Sequence, residues 1–503
     1  MAAQPVEDEV ERGDALAAVV RGMAVAMVGS IFGSSLGFVL LVLMGRRLAP
    51  DELGLFVLAL NLVNLVPQIT IAGVDYAAIR YVSEARTPGA KRGAMLTPFA
   101  VAMAFNLAIG GSAFALARPL ALHVFGQPHF VEGLRAAALT LPLTVAAQMI
   151  SAAISGLERA SGELVRKVVE QGGRIAFAFA AVLAGAGVGG IVLGLAAAAA
   201  VATLACAVTL AVVLPRGGRT QPVAVRAVVG FAWPQTVATA VGRSWSLLML
   251  AFVSNLVGAH GVAIFGIAAA LSRLPGLVYN SFTYRFTPTI SRLWHEQDRA
   301  TLDDMLRSVT RWVAIGAVPL YAIIIALPGP LLHIFGHGYA DPRDDLVVSI
   351  LGAGLLVDSL AGPVDRALVM TGHVKLEMLA GIVTALATVG FAYVLTLEYG
   401  VLGAAISYFV YNLLLNALKT ALLWWKVQMK ALSAALLGPL VAGASAGAAA
   451  AGVGAVTDLD SSLLGLVVLG AMLVLAYVVV QLAVVGISPL DRAALRLALH
   501  PQA

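Results

Sequence analysis

One cysteine, Cys206, stands in 503 residues, and it lies in an apolar stretch. A lone cysteine excludes an intramolecular disulfide framework and reads as a small packing residue. Charge is also scarce: Asp, Glu, Lys and Arg make up 12% of the chain, against about 25% in an ordinary soluble domain. No G-x-x-x-x-G-K-[ST] sequence occurs, which excludes nucleotide hydrolysis through a P-loop. H-E-x-x-H is missing too, and the eight histidines include no metal-ligand pair at helical spacing, so neither metal nor cofactor is expected. Gly185, Gly187 and Gly190 keep a G-x-G-x-x-G spacing, but no strand precedes them and they fall in a turn between apolar segments. The formal charge of +5 comes from basic residues scattered through short loops, with no Lys/Arg run and no interleaved aromatics. That pattern excludes nucleic acid as a partner.

Apolar residues are what the chain has in excess. They make up 60% of it, or roughly 70% with the 51 glycines, against about 45–50% in soluble domains counted the same way. Mean hydropathy is +0.92. A soluble globule has too much surface to hide that fraction. The expected class is therefore an all-α polytopic membrane protein with about 14 transmembrane helices, each of about 20 residues. Candidate spans run over 22–45, 53–73, 94–117, 134–156, 172–188, 190–214, 229–254 and 260–281. They continue at 311–329, 346–369, 378–397, 401–423, 432–456 and 462–487. The first apolar run is read as a retained span, because an acidic stretch precedes it and no cleavage-like site follows.

Loop charges orient these spans. Arg80, Arg86, Lys91 and Arg92, then Arg159, Arg166 and Lys167, then Arg216, Arg219 and Arg226 fall in loops on one side. Arg285 to Arg311, Lys375, Lys426, Lys430, Arg492 and Arg496 continue it, while the opposite loops hold little beyond Arg46, Arg47, Arg118 and Arg343. The basic side is expected in the cytoplasm, with both termini inside a cell (inner or plasma) membrane.

An internal repeat has an offset of roughly 210 residues. Leu122-His-Val-Phe-Gly126 matches Leu332-His-Ile-Phe-Gly336, and Ser161-Gly162 matches Thr371-Gly372. The expected organisation is an acidic cytoplasmic tail (1–21), a six-helix half (22–226), a second six-helix half (227–428), and two further helices with a tail (429–503). Two even-numbered copies begin on the same side, which predicts a symmetry axis along the membrane normal and a cavity between the halves. His123 and His333, recurring beside a turn, are read as structural.

Polar residues inside spans are costly and mark a lumen or a pairing site. Span 7 carries Arg243, with Gln235, Thr239, Gly242 and Ser246 near the same face. Span 8 has Arg273 and Asn280 seven residues apart, and span 2 carries Asn61, Asn64, Gln68 and Asp75. Asp358 of span 10 matches Gln148 of span 4 across the repeat. Its readings are a proton or cation site, or an ion-pair partner for an arginine.

The stretch from Gly37-Phe38 through Arg46-Arg-Leu-Ala-Pro-Asp-Glu-Leu-Gly-Leu-Phe56 to Gly73-Val-Asp-Tyr-Ala-Ala-Ile-Arg-Tyr-Val-Ser-Glu84 resembles a known opening pattern. It is similar to that of the oligosaccharide/polysaccharide flippase branch of the multidrug/oligosaccharidyl-lipid/polysaccharide exporter superfamily. Thr287-Pro-Thr-Ile-Ser-Arg-Leu293 extends the resemblance into the second half. The resemblance implies a transporter, not an enzyme. Its members move polyprenyl-(pyro)phosphate-linked oligosaccharides from the inner to the outer leaflet by alternating access, without hydrolysing nucleotide. On that reading Arg243 and Arg273 would bind the head group, and Asn61, Asn64, Gln68, Gln235 and Asn280 would line the cavity. Asp358 would couple transport to H+ or Na+. Partners would be the lipid-linked glycan, membrane lipids, a polysaccharide polymerase and glycosyltransferases. A lipid II substrate ranks lower, because that branch is expected to carry basic cavity residues in its first spans and the deep arginines here read as second-half. The alternatives are a drug/cation antiporter of the same superfamily and, further off, a membrane glycan polymerase or ligase. The latter would need a long exoplasmic catalytic loop.

Overall fold

The computed structural model describes residues 33–485, apart from 34, 158, 160, 215, 216, 337, 340, 432 and 458–461. The acidic N-terminal stretch, the start of span 1, Arg216 and the last basic residues lie outside the described set. The chain forms two compact units. Met1–Gly266 with Ala392–Ala404 makes the first, and Ile267–Phe391 with Ala405–Ala503 the second.

In the first unit α1 (Ser35–Gly45) leads to α2 (Pro50–Thr70), the short α3 (Val74–Glu84), α4 (Pro88–Ala115) and α5 (Val131–Gly156). α6 (Ser161–Leu183), α7 (Val188–Val213) and the long α8 (Val225–Leu256) follow, and α9 (Ala259–Arg273) crosses into the second unit. Pro50 and Pro88 open α2 and α4 at a position where the missing N–H costs nothing. Thr87 caps α4 by accepting from Ala90 N at 3.2 Å. Two glycines set how closely elements approach. A Cβ on Gly54, within the family-like opening stretch, would stand 1.8 Å from Ala259 O, and one on Gly93 would stand 1.7 Å from Gln221 O. No larger residue fits either contact.

α5 is the hub of this unit, packing on α2, α3, α4, α6 and α7. The outer surface is apolar: Leu193, Val201, Leu204, Val208 and Val212 of α7 are all exposed, as expected of a helix facing lipid. The repeated turn motif has a backbone explanation. Gly126 and Gly336 both take positive φ, 63° and 120°. Around Gly126, Ser254 Oγ donates to Phe125 O at 2.7 Å and Asn255 Nδ2 donates to His123 O at 3.3 Å. His123 is bonded there through its carbonyl.

The second unit continues with α10 (Gly276–His295), α11 (Arg299–Ala326) and α12 (Pro342–Met370). A helical stretch, Val374–Leu422, is broken at Gly400 (φ 62°, ψ −137°) into α13 (374–399) and α14 (401–422). A Cβ on Gly403 would lie 1.8 Å from Leu395 O, so the chain folds back there and makes two crossings. α15 (Leu437–Thr457) and α16 (Leu463–Val480) follow. α15 presents Ala442, Gly443, Ala446 and Ala450 to α11 and α16, the small-residue packing expected where backbones meet in lipid.

Among the described residues ten helical segments are long and apolar enough to cross a membrane. One of them is the double crossing at Gly400, and Ser35–Gly45 and Ala259–Arg273 are shorter apolar helices. With α6 the expected total of about fourteen is met. α6 departs most from the hydropathy reading: it begins at Ser161, where the apolar run suggested 172. Residues assigned to a cytoplasmic loop, Arg166 and Lys167 among them, are helical.

Candidate functional site

The extra turns of α6 carry Glu163, Arg166, Lys167, Glu170, Gln171 and Arg174. Offsets of three, four, seven, eight and eleven residues from Glu163 put these on one helical face, so the charges form a stripe. They pair along it. Glu163 takes a two-pronged contact from Arg166, Nη2 to Oε1 at 2.8 Å and Nε to Oε2 at 3.1 Å. Lys167 Nζ lies 3.2 Å from Glu163 Oε1, and Ser151 Oγ of α5 donates to Glu163 Oε2 at 3.0 Å. Deeper along the helix, Glu170 is held between Arg166 (3.0 Å) and Arg174 (2.5 Å). Arg174 Nη1 also donates to Asn64 Oδ1 of α2 at 2.9 Å. Two charges of this depth are tolerated because each has an opposite charge and hydrogen bonds. Removing one partner strands the other.

This stripe forms one wall of a cavity of about 720 Å3 within the first unit. α2 contributes Asn64 and Gln68; α3 contributes Asp75 and Tyr76; α5 contributes Thr144, Gln148, Ser151 and Ser155; and α8 contributes Gln235 and Thr239. The volume lies in the range of small-ligand sites. Gln68 donates to Asn64 O at 2.8 Å and Gln235 Nε2 to Thr239 Oγ1 at 3.3 Å, so one amide oxygen of each side chain stays available to a ligand. Two lining atoms, Arg174 Nε and Thr144 Oγ1, are buried without a hydrogen-bond partner. A polar, hydroxyl- and amide-rich lining inside a membrane-spanning bundle is suited to a hydrated, sugar-like ligand.

Of the residues singled out in the sequence, the structure brings Asn64, Gln68 and Gln235 together here, with Asp75, Gln148 and Thr239. Asn61 donates to Val57 O of its own helix at 2.9 Å and does not line the cavity. Arg243 is exposed on α8, also outside the lining. Arg273, Asn280 and Asp358 belong to the second unit, where Arg273 and Asn280 are exposed. There Asn416 Nδ2 donates to Asp358 Oδ1 at 3.4 Å, and Tyr321 and Ser359 share a hydrogen bond of 2.7 Å one residue along. On the next turns Lys419 Nζ lies 2.8 Å from Asp365 and 3.9 Å from Glu377. Among the described residues no group of three His, Cys, Asp or Glu side chains is arranged to hold a metal.

The reading that confined deep arginines to the second half is corrected by Arg174, whose side chain is 5% exposed in the first. Arg174 falls at the start of the 172–188 run, where apolar averaging covers a single charge, while the charged turns before it score as a loop. The three- and four-residue spacing of Glu163, Arg166, Glu170 and Arg174 was the available signal.

The family profile described as "Polysaccharide biosynthesis protein" matches residues 43–341. Solved structures with the same fold include lipid II flippase MurJ in an inward closed conformation, 13% identical over 94% of this chain and 99% of that one, with a TM-score of 0.73. An inward-facing multidrug resistance MATE family transporter of the MOP superfamily is 16% identical, covering 78% of this chain and 94% of that one, with a TM-score of 0.62. A MOP superfamily transporter from Pyrococcus furiosus, for which a reversed polarity of the binding pocket suggests a different function, is 16% identical over 81% and 95%, at 0.56. No curated protein matches the chain.

Proposed function

Because the chain belongs to the polysaccharide biosynthesis protein family, we propose that it flips a polyprenyl-(pyro)phosphate-linked oligosaccharide from the inner to the outer leaflet of the cell (inner or plasma) membrane. The supporting observation is the first-unit cavity, in which Asn64, Gln68, Gln148, Gln235 and Thr239 face Arg166, Lys167 and Arg174. Amides and hydroxyls suit sugar hydroxyls, guanidinium groups suit a diphosphate, and the prenyl tail needs no protein pocket because lipid already solvates it. Arg243 and Arg273 remain proposed head-group contacts, each exposed on its own helix. Asp358, which accepts from Asn416 and lies two helical turns before Asp365 of the Asp365–Lys419–Glu377 group, is the proposed coupling site for H+ or Na+. Both termini are proposed to be cytoplasmic, with a polymerase and glycosyltransferases as partners. Lipid II no longer ranks below other lipid-linked saccharides, since Arg166 and Arg174 supply basic cavity residues in the first half.

The test is flipping of a defined lipid-linked oligosaccharide in proteoliposomes, with and without an ion gradient. Protein-dependent flipping that falls in Gln68→Ala and Gln235→Ala is the expected result. Asp358 favours a second reading, a drug/cation antiporter, since an intramembrane acid suits cationic cargo. Drug resistance on overexpression, with no glycan defect in a deletion strain, would establish that reading instead.

A further inference from the structure

The charges lining the first-unit cavity cancel: Arg166, Lys167 and Arg174 are matched by Asp75, Glu163 and Glu170. An anionic ligand therefore gains little there unless one carboxylate withdraws. Glu170 is the wrong one to move, because its side chain is 3% exposed and lies between two guanidinium groups. Asp75, on α3, accepts from the N–H of Tyr76 beside it on the same helix, and among the described residues no cation pairs with it. Glu163 differs from both. Its side chain is 34% exposed, it stands in the first turn of α6, and it holds both Arg166 and Lys167.

The donor set around Glu163 is one that a phosphate group also fits: a two-pronged guanidinium at 2.8 and 3.1 Å, an ammonium at 3.2 Å and the Ser151 hydroxyl at 3.0 Å. The N-terminal turn of a helix adds a field that favours anions. The geometry points to Glu163 as a built-in stand-in for the substrate anion. A lipid diphosphate displaces its carboxylate from Arg166, Lys167 and Ser151, and the carboxylate returns on release. The displaced carboxylate turns toward the open side of the cavity, while the Glu170–Arg174 pair beneath keeps the stripe in register. Competition of this kind weakens binding at the site and so favours unloading, which a transporter needs. Taking the anion to be a lipid diphosphate rests on the transport reading above; the exchange itself rests on the contacts.

The experiment measures binding of farnesyl diphosphate, with inorganic pyrophosphate in parallel, to the full chain in nanodiscs. Glu163→Gln keeps the shape and removes the competing charge, and it is expected to bind farnesyl diphosphate about tenfold more tightly, the worth of one charge-assisted contact. Lys167→Ala is expected to bind more weakly, and to shrink the gain from Glu163→Gln in the double variant. Unchanged or weaker binding by Glu163→Gln overturns the proposal. So does tighter binding of inorganic pyrophosphate than of farnesyl diphosphate, which would assign the site to a free anion. Should Glu163→Gln fail to fold, Glu163→Asp is read instead, with its shorter carboxylate expected to tighten binding less. Flipping by the wild type without any Glu163-dependent change in affinity sinks the stand-in and leaves transport standing. Tightened binding in a chain that flips nothing supports the exchange and removes the transport reading.

Discussion

Arg174 and Glu170 illustrate how a bilayer protein accommodates full charges. Their side chains are 5% and 3% exposed; Glu170 also holds Arg166, and Arg174 also donates to Asn64. Truncation to Arg174→Ala leaves Glu170 with Arg166 alone and frees Asn64 Oδ1, a loss smaller than the roughly 3–5 kcal/mol of a buried charge left with no partner. The expected result is a clearly lowered melting temperature in detergent, with Glu170→Gln/Arg174→Gln less damaging than Arg174→Ala. A drop no larger than that of an exposed variant such as Arg80→Ala would show that the pair carries no such weight. Cys206 is buried and free. Cys206→Ser in a cavity-neutral position is expected to leave transport intact, which clears the background for introduced cysteines.

At the scale of elements, helix contacts depend on single small residues and single caps. Gly54→Ala would drive a methyl into Ala259 O, and Gly93→Ala one into Gln221 O. Both variants are expected to lose folded protein on size-exclusion chromatography, whereas Gly111→Ala, with open space around it, is expected to behave as wild type. Asp298 caps α11, its carboxylate accepting from Thr301 N at 3.1 Å. The Thr301 hydroxyl and then its backbone N–H hold that carboxyl below its ordinary pKa. A depressed folded pKa contributes stability above the unfolded value and loses it as pH falls through the folded one. The melting-temperature gap between wild type and Asp298→Ala is therefore expected at pH 7 and should close below about pH 4. The structure also shows why hydropathy missed the first turns of α6. Apolar averaging reports how much of a helix faces lipid, and these turns face a polar cavity.

For the whole molecule, orientation is the property that transport direction depends on. Single cysteines at Arg86 and Lys430 in the Cys206→Ser background are expected to react with a membrane-impermeant maleimide only from the cytoplasmic side, and one at Arg343 only from outside. Labelling in the opposite sense would reverse the proposed direction of flipping. The membrane class and the approximate count of crossings were legible in the chain alone, because lipid selects for long apolar runs whatever the helices later touch. The turns at Gly126 and Gly336 were legible for a similar reason, since a positive φ is a local demand. Which polar residues share a site was not. Asn64, Gln68 and Gln235 proved to share one cavity while Asn61, three residues earlier on the same helix, turned back on its own backbone. Arg174, overlooked within an apolar-looking span, became its buried wall. The charge pairs along α6 are local, three and four residues apart, but the cavity they wall depends on contacts between distant segments: Arg174 and Asn64 stand 110 residues apart in the chain and 2.9 Å apart in the fold.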